Sequence, residues 1–364
     1  MSESQTMTGN ILDDLDRRLM YEMDLNSRQP LSKFSKRLHI SVQRLDYRLR
    51  SLERRGVILG YPTVVDLCKL GTHHYFICCI RTYRMSGREQ DERLRFIAKD
   101  DDCTLAYRFE GAWDAIVGTV AKDVFAAKVT FSRLLGPMAQ RIRAKIIYTD
   151  MRIYNYGRRY MLEAGTGQRE AGAADIFNER KRQYKVTGGP SEAVPHSELD
   201  LSILRILSAD ARTPSVKIAK STGASPETVV HHIRRMERDG IIEGYTTLLD
   251  PCKYGYQFNR ITVELASIDE TRLHEITEYM KRFPNMFRLI ELFEIDGFMM
   301  DIVSNTYDEM EHVLSEFRDR YREYIDGMDL NRITKIYKAT YFPTFAKTAQ
   351  QGRKRAGRQK GMLA

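Results

Sequence analysis

Residues 41–61 read SVQRLDYRLRSLERRGVILGY, and this stretch decides the fold because it combines a helix start, a helical stripe, a helix stop and a strand pattern. Ser41 is a favourable N-cap, since its hydroxyl can accept a free backbone N–H. Apolar residues then recur at helical spacing, at Val42, Leu45, Leu49 and Leu52. Gly56 ends the helix, and the alternation around Gly60 predicts a β-hairpin wing. A helix followed at once by a hairpin is typical of the third helix of a winged helix-turn-helix.

The same stretch recurs 184 residues later, where residues 225–245 read SPETVVHHIRRMERDGIIEGY. Leu15–Gly71 aligns with Leu199–Gly255 without a gap, with 19 identities in 57 positions. Such self-similarity identifies a tandem duplication and therefore sets the architecture of the whole chain.

Each unit predicts the same order of elements. Two short amphipathic helices precede the Ser-capped third helix and its wing, and the order strand, helix, strand, strand, helix, strand follows. The fold class is therefore α+β, with two winged helix-turn-helix domains and two ferredoxin-like βαββαβ domains in tandem. The predicted boundaries are 12–66 and 197–250 for the winged helices, 72–157 and 256–343 for the βαββαβ domains, 158–196 for a linker with a short helix near 173–184, and 346–364 for a basic tail. Four strands with helices on one face leave the other face bare, so we expect the two sheets to pair through their uncovered faces, within or between chains.

The polar face of each third helix predicts contact with double-stranded DNA. The third helix enters the major groove in this fold, where Arg can pair two N–H donors with guanine. The predicted DNA-binding residues are Ser41, Gln43, Arg44, Tyr47, Arg48 and Arg50 in the first unit and Thr228, His231, His232 and Arg235 in the second.

The composition agrees with a polyanionic binding partner and argues against a membrane protein, a secreted protein and a zinc- or disulfide-based fold. The 364 residues carry a formal net charge of +9. No apolar run approaches the roughly 20 residues of a membrane span, and the N-terminal region lacks a signal-peptide core. The five cysteines fit no zinc spacing and no disulfide framework. No catalytic motif is present, so we predict a protein that is not an enzyme, needs no cofactor or metal, and works in the cytoplasm on the nucleoid.

The chain resembles the Lrp/AsnC (leucine-responsive regulator) family. The resemblance rests on LDDLDRRLM, VVDLCKLG and GAWD in the first unit and on ELDLSILRIL and LLDPCKYG in the second, and it covers about 290 residues. It implies a transcription regulator whose β-domains dimerise, either as a homo-oligomer or as an intrachain pseudo-dimer, and often bind an amino acid. The implied effector site lies near Gly111 and Asp114, a pattern that the second unit has lost in GFMMD. The tandem fusion itself departs from the family, as does His39 in place of the small residue that Gly223 retains.

Two alternatives remain open at this point. The chain also resembles siroheme decarboxylase subunits, which share the winged-helix plus β-domain plan, although CTLAYRFE (103–110) and NMFRLIE (285–291) lack the histidine expected at a tetrapyrrole site. A sequence-nonspecific, chromatin-like DNA protein is the other alternative. A Soret band on titration with a heme-like ligand favours the first, and sequence-indifferent DNA affinity favours the second.

Overall fold

A computed structural model describes residues 12–71, 74–163, 185–266 and 268–342. The predicted helix at 173–184 and the predicted basic tail at 346–364 lie outside these residues.

The α-helices of the described residues are α1 (Asp14–Leu25), α2 (Leu31–Leu38), α3 (Val42–Arg54), α4 (Gly87–Ala98), α5 (Val124–Leu135), α6 (Tyr160–Glu163), α7 (Glu198–Ala209), α8 (Ser215–Thr222), α9 (Pro226–Arg238), α10 (Glu270–Met280) and α11 (Tyr307–Tyr321). The strands are β1 (Ile58–Gly60), β2 (Thr63–Val65), β3 (His74–Thr82), β4 (Cys103–Gly111), β5 (Ala115–Ala121), β6 (Ile142–Asn155), β7 (Lys185–Gly188), β8 (Ile242–Tyr245), β9 (Leu248–Leu249), β10 (Gln257–Leu265), β11 (Met286–Leu292), β12 (Gly297–Ser304) and β13 (Ile325–Ala339). We call α1–α3 with β1 and β2 head one, and α7–α9 with β8 and β9 head two.

The three-helix plan of each head is as predicted. Ser41 accepts the Arg44 backbone N–H at 3.3 Å, and Ser225 accepts that of Thr228 at 3.1 Å, so both third helices begin at their expected caps. The turn before α3 places His39 in the left-handed region at φ 54°, and its counterpart Gly223 has φ 74°. The repeat therefore preserves the turn geometry although the residue type differs.

The prediction of a β-hairpin wing within each head is wrong. β1 pairs with β9 and β2 pairs with β8, so each short strand of one head pairs with a strand of the other head, in two antiparallel pairs. Gly60 has no positive φ, and the chain continues through Pro62 instead of reversing. Alternation in sequence predicts a strand but does not name its partner, and here the partner lies in the other repeat.

The two ferredoxin-like sheets close into one barrel. Strands run in the order β11–β12–β10–β13–β4–β5–β3–β6, and β6 pairs with β11 to complete the ring. The sheets therefore meet edge to edge, at β13–β4 and β6–β11, within one chain. The expected intrachain pairing occurs, but the uncovered faces line the barrel interior and are not stacked as separate layers. Closure removes the exposed strand edges that two open sheets would leave.

The core follows from this arrangement. Apolar side chains of both heads are continuous with those inside the barrel, and two further clusters lie between the barrel wall and the outer helices, α4 and α5 on one side and α10 and α11 on the other. The chain departs from the expected linker (158–196) at both ends. At its start Arg158, Tyr160 and Met161 are buried, and further along β7 pairs with β6 and extends the sheet. In the described part of the chain, no helix is long and apolar enough to cross a membrane.

Candidate nucleic-acid interface

The outward face of α3 presents a continuous polar surface. All residues of this surface are exposed, and among them Tyr47 is 68% exposed and the Arg50 side chain is 71% exposed. The residues are Ser41, Gln43, Arg44, Tyr47, Arg50 and Arg54. Leu45, Leu49 and Leu52 on the opposite face are buried, and this burial fixes the orientation of the helix. Arg50 is held along the helix by Asp46 at 3.0 Å, an exposed pair that contributes little to stability and can exchange for a phosphate.

Arg48 does not share that face. Its Nη1 donates to Asp13 Oδ2 at 2.6 Å and to Asp16 Oδ1 at 2.8 Å, and only 20% of its side chain is exposed. Arg48 therefore ties α3 to the N-terminus of α1. Its predicted contact with DNA stays a prediction that this geometry does not favour.

Head two repeats that arrangement with different residues. The Nδ1 atom of His232 lies 2.7 Å from Asp200 Oδ1, and Arg235 donates to Asp200 Oδ2. Burial raises the pKa of Asp200, but hydrogen bonds from Ser197 and His232 and the charge of Arg235 outweigh it and hold this pKa at about 2. Asp200 is thus a buried anchor for α9, and His232 and Arg235 face it instead of solvent.

The exposed faces of the two third helices differ in charge. On α9 the face consists of Glu227, Thr228, His231, Arg234 and Arg238, which align with the α3 residues Gln43, Arg44, Tyr47, Arg50 and Arg54. At these five aligned positions the α3 face carries three arginines and no acid, with Asp46 paired to Arg50 beside it, whereas the α9 face carries two arginines and one glutamate. Of the predicted DNA-binding residues in head two, Thr228 and His231 lie on the exposed face.

A reciprocal clasp holds the two heads together. Arg28, in the loop after α1, donates to the Thr213 carbonyl at 2.9 Å and to the Ala211 carbonyl in head two. Its repeat equivalent Arg212 donates to the Ser27 carbonyl in head one at 2.6 Å. Each guanidinium also lies over a tyrosine that belongs to the other head, Arg28 over Tyr245 at 5.8 Å and Arg212 over Tyr61 at 5.4 Å.

Backbone hydrogen bonds repeat this two-fold pattern. The Ser27 N–H donates to the Tyr245 carbonyl at 3.1 Å, and the Ala211 N–H donates to the Tyr61 carbonyl at 2.7 Å. The same tyrosines bond to their own third helices, Tyr61 to Glu53 and Tyr245 to Glu237, both at 2.6 Å. Each third helix is therefore connected through one tyrosine to the other head, and the two exposed faces are held in a fixed relation.

Sequence reasoning missed the clasp, although a signal was present. Arg28 and Arg212 are identical residues at equivalent positions in the two repeats, just after the first helix of each unit. An arginine retained in a loop outside the recognition helix indicates a role that both units share.

The predicted effector residues have structural partners. Asp114 Oδ2 accepts the Thr82 N–H at 2.5 Å and the Thr82 hydroxyl at 2.9 Å. Gly111 has φ 144°, and a Cβ there would lie 2.2 Å from the Leu330 carbonyl oxygen, so only glycine permits β4 to approach β13 this closely. These contacts explain both residues as parts of a turn at the barrel seam, and effector binding by them stays a prediction.

The barrel encloses a cavity at the end nearest the heads. Its volume is about 60 Å³, and its wall includes the charged residues Asp150, Arg158, Arg260 and Arg288. A larger open groove of about 640 Å³ lies outside the barrel and includes His74, Lys122 and Arg152. The two spaces are separated at Asp150, which lines both.

Comparison with known proteins agrees with the architecture. The family described as winged helix-turn-helix DNA-binding matches residues 196–243. The HTH-type transcriptional regulator LrpA of Pyrococcus horikoshii is 42% identical over 86 residues, which are 24% of this chain and 60% of that protein. An HTH-type transcriptional regulator of Pyrococcus furiosus is 32% identical over 106 residues, 29% of this chain and 70% of that protein. The chain thus spans about 60% of the length of the LrpA relatives it matches.

Two solved structures of the siroheme decarboxylase NirDL cover both units at once. The siroheme decarboxylase NirDL aligns with 92% of this chain and 95% of its own, with a TM-score of 0.54 and 11% sequence identity. At this identity the likeness shows the fold alone: two heads and two ferredoxin-like domains arranged within one chain.

Proposed function

We propose that this chain, which belongs to the Lrp/AsnC family, is a sequence-specific transcription regulator that binds double-stranded DNA with both heads. The observation that carries the proposal is the pair of exposed third-helix faces held by one reciprocal clasp. A single chain then offers two DNA-binding heads at a fixed spacing, as a dimer of separate subunits would.

The exposed residues suit contact with a major groove. Arg44 and Arg50 can each donate a pair of N–H groups to guanine or to a phosphate, and Gln43 can pair with adenine. Tyr47 offers a hydroxyl and an apolar ring at the centre of the face. Because one face carries three arginines and the other two arginines and a glutamate, head one should supply more of the phosphate contacts.

Selection of bound fragments from a random DNA pool tests the proposal directly. We expect enrichment of a defined site by the wild-type chain and loss of that enrichment in Arg44→Ala/Arg50→Ala. Arg88→Ala/Arg93→Ala is the matched control, because it removes the same charge from exposed positions of α4 on the barrel wall. The salt dependence of log K should become shallower by up to about 1.8 in the head-one variant, at about 0.9 per phosphate contact.

The selection also distinguishes the nonspecific alternative. Binding without enrichment of any site would indicate a chromatin-like DNA protein and overturn sequence-specific recognition. Equal losses in the head-one variant and in the α4 control would show that overall charge, and not the α3 face, carries the affinity.

The family resemblance adds an amino-acid effector to the proposal, at the turn that contains Gly111 and Asp114. Its support is the GAWD motif alone, since Asp114 already accepts two hydrogen bonds from Thr82. Thermal-shift measurements with the individual amino acids test it. Absence of stabilisation by all of them would leave the motif with its structural role.

Tetrapyrrole chemistry is a second candidate, and two observations favour it. NirDL shares the fold over nearly the whole chain, and the open groove of about 640 Å³ falls in the size range of ligand pockets and includes His74. The central cavity of about 60 Å³ is far below that range. Titration with an iron porphyrin tests this candidate: a saturable Soret shift that His74→Ala abolishes would support it, and an unchanged band would remove it.

A further inference from the structure

The central cavity is built from charged groups that a simple apolar core would not contain. It lies inside the end of the barrel and is closed toward the heads by the strand-exchange segments, through Pro62, Leu248 and Leu249. Its walls are otherwise mostly apolar and aromatic, with Tyr107 and Phe258 among them. Buried charges in such surroundings are costly unless each has a partner.

Two arginines in the wall share one carboxylate. Arg260 donates from Nε and Nη2 to the two oxygens of Asp301, at 2.6 and 2.7 Å, which satisfies both groups well. Arg288 donates only its Nε to Asp301, at 3.0 Å. Arg260, Arg288 and Asp301 are 1%, 7% and 0% exposed, so this cluster is withdrawn from bulk water.

The end of the Arg288 side chain is left without an acceptor. Within the described ranges, its two terminal nitrogens make no hydrogen bond, and its guanidinium is held in place by the Phe287 ring at 5.2 Å. Phe287 is flanked in turn by Arg158 at 4.7 Å, and Arg158 is paired with Asp24. Arg288 is therefore a fixed, buried cation on the cavity wall with a pair of unused parallel donors.

Asp150 is the complementary unsatisfied group. Its Oδ1 is buried and has no hydrogen-bond partner among the described residues. Burial raises its pKa to about 7, although Arg260 and Arg288 act to lower it. A carboxyl group that is partly protonated near neutral pH offsets the positive charge of Arg288 incompletely.

We propose that this cavity binds a small carboxylate anion, whose two oxygens accept the terminal N–H groups of Arg288 and whose short apolar body contacts the barrel wall. A guanidinium and a carboxylate match in planar, two-point geometry, which a spherical ion does not. The volume of about 60 Å³ limits the ligand to a few heavy atoms, of the size of acetate or propionate. Protonated Asp150 can donate its O–H to the same anion.

Binding should therefore be linked to proton uptake by Asp150. The ionised carboxylate repels the anion and the protonated form does not, so affinity should rise as the pH falls through about 7. The charged or titratable groups around Asp150 include Tyr75 and Cys79 on β3, Arg260 on β10, Arg288 on β11, Glu294 after β11 and Asp301 on β12. Arg158, Tyr107 and Tyr341 line the same cavity. Asp66, Cys68 and His74 line a smaller neighbouring space with Asp150, and Lys122, Asp123, Arg152 and Glu270 line the outer groove. In Asp150→Asn this pH dependence should be lost.

The test is a titration of the full chain with sodium acetate by calorimetry, in the absence of DNA, so that its outcome is independent of the proposed function. Acetamide is the neutral isostere, and sodium chloride at equal ionic strength is the control for a nonspecific anion effect. Arg288→Lys keeps the charge but loses the paired donors, and we expect about tenfold weaker binding or more. Arg282→Lys, on the exposed surface, is the matched control.

A second variant keeps the result interpretable if Arg288→Lys folds poorly. Ala339 is an uncharged residue that lines the cavity, so Ala339→Leu should fill the space and abolish acetate binding. Saturable binding of acetate, absent for acetamide and chloride and lost in Ala339→Leu, is the expected result. Equal binding of chloride, equal binding by all variants, or no saturable binding by the wild-type chain would each overturn the proposal.

Discussion

Removing the reciprocal clasp should loosen the two heads from each other without unfolding either one. Arg28→Ala loses two charge-assisted hydrogen bonds to carbonyls of head two and the contact with the Tyr245 ring. Net contributions of about 1.5 kcal/mol per charged hydrogen bond predict a loss of about 3 kcal/mol in the free energy of head–head association, to which the ring contact adds about 0.5 kcal/mol. Arg212→Ala removes one such bond and one ring contact, for about 2 kcal/mol.

Hydrogen exchange provides a local probe at both ends of the clasp. The amides of Ser27 and Ala211 each donate to a carbonyl of the opposite head, so their protection reports head–head opening directly. A loss of 2–3 kcal/mol corresponds to roughly 30- to 150-fold faster exchange. The double variant should cost less than the sum of the single variants, because the two arginines act on the same interface.

Arg37→Ala is the control for the clasp variants. Arg37→Ala removes an exposed arginine that pairs with Glu22 inside head one, so it should leave both amides unchanged. DNA binding gives a second readout: the wild-type chain should accept one spacing between half-sites, and the double variant should tolerate an added half turn. Unchanged protection of both amides in the double variant would refute the idea that these arginines hold the heads together.

Three further outcomes are expected. Asp200→Asn should lower the free energy of unfolding of head two by about 2 kcal/mol at neutral pH, because the folded state lowers the pKa of Asp200 from 3.8 to about 2. This stabilisation is present above about pH 4 and is lost as the pH falls toward 2. In urea titrations the difference between this variant and the wild type should therefore disappear near pH 2. Arg234→Ala/Arg238→Ala should reduce DNA affinity less than Arg50→Ala/Arg54→Ala, the equivalent pair in head one, at equal salt, and equal losses would show that the difference in face charge has no functional counterpart. Gly111→Ala should destabilise the barrel seam by about 2 kcal/mol or more, whereas Gly136→Ala, where an added Cβ meets nothing within 4 Å, should not, as thermal unfolding will show.

The elements of this protein follow closely from sequence because local rules determine them. Ser41 and Ser225 begin the third helices, and Gly56 and Gly240 follow their ends with positive φ. The repeat supports each assignment, since both copies keep the same cap and end residues although most of the other positions differ. Fold class and the order of elements were therefore predictable.

The pairing of these elements was not predictable from local pattern. An alternating run such as residues 57–65 is equally consistent with a hairpin and with a strand exchanged between heads, because its side-chain pattern is identical in both. The position of Arg48 illustrates the same limit on a helix. It lies three residues after Leu45 and four before Leu52, at the edge of the buried stripe, where its hydrogen bonds to Asp13 and Asp16 at the start of α1 turn it inward.

Strand exchange and covalent fusion together limit how this protein can be regulated. A dimer of separate chains can release DNA by dissociating, whereas here one chain carries both heads and clasps them with Arg28 and Arg212. Under the proposed function, control of DNA binding would have to change the relation of the heads while they stay associated. The segments 58–65 and 242–249 are placed to do this, because they pair across the heads and their residues Pro62, Leu248 and Leu249 also form the wall of the barrel cavity. Under the proposed function, an occupant of that cavity would lie against segments of both heads and would act through a shift of these strands.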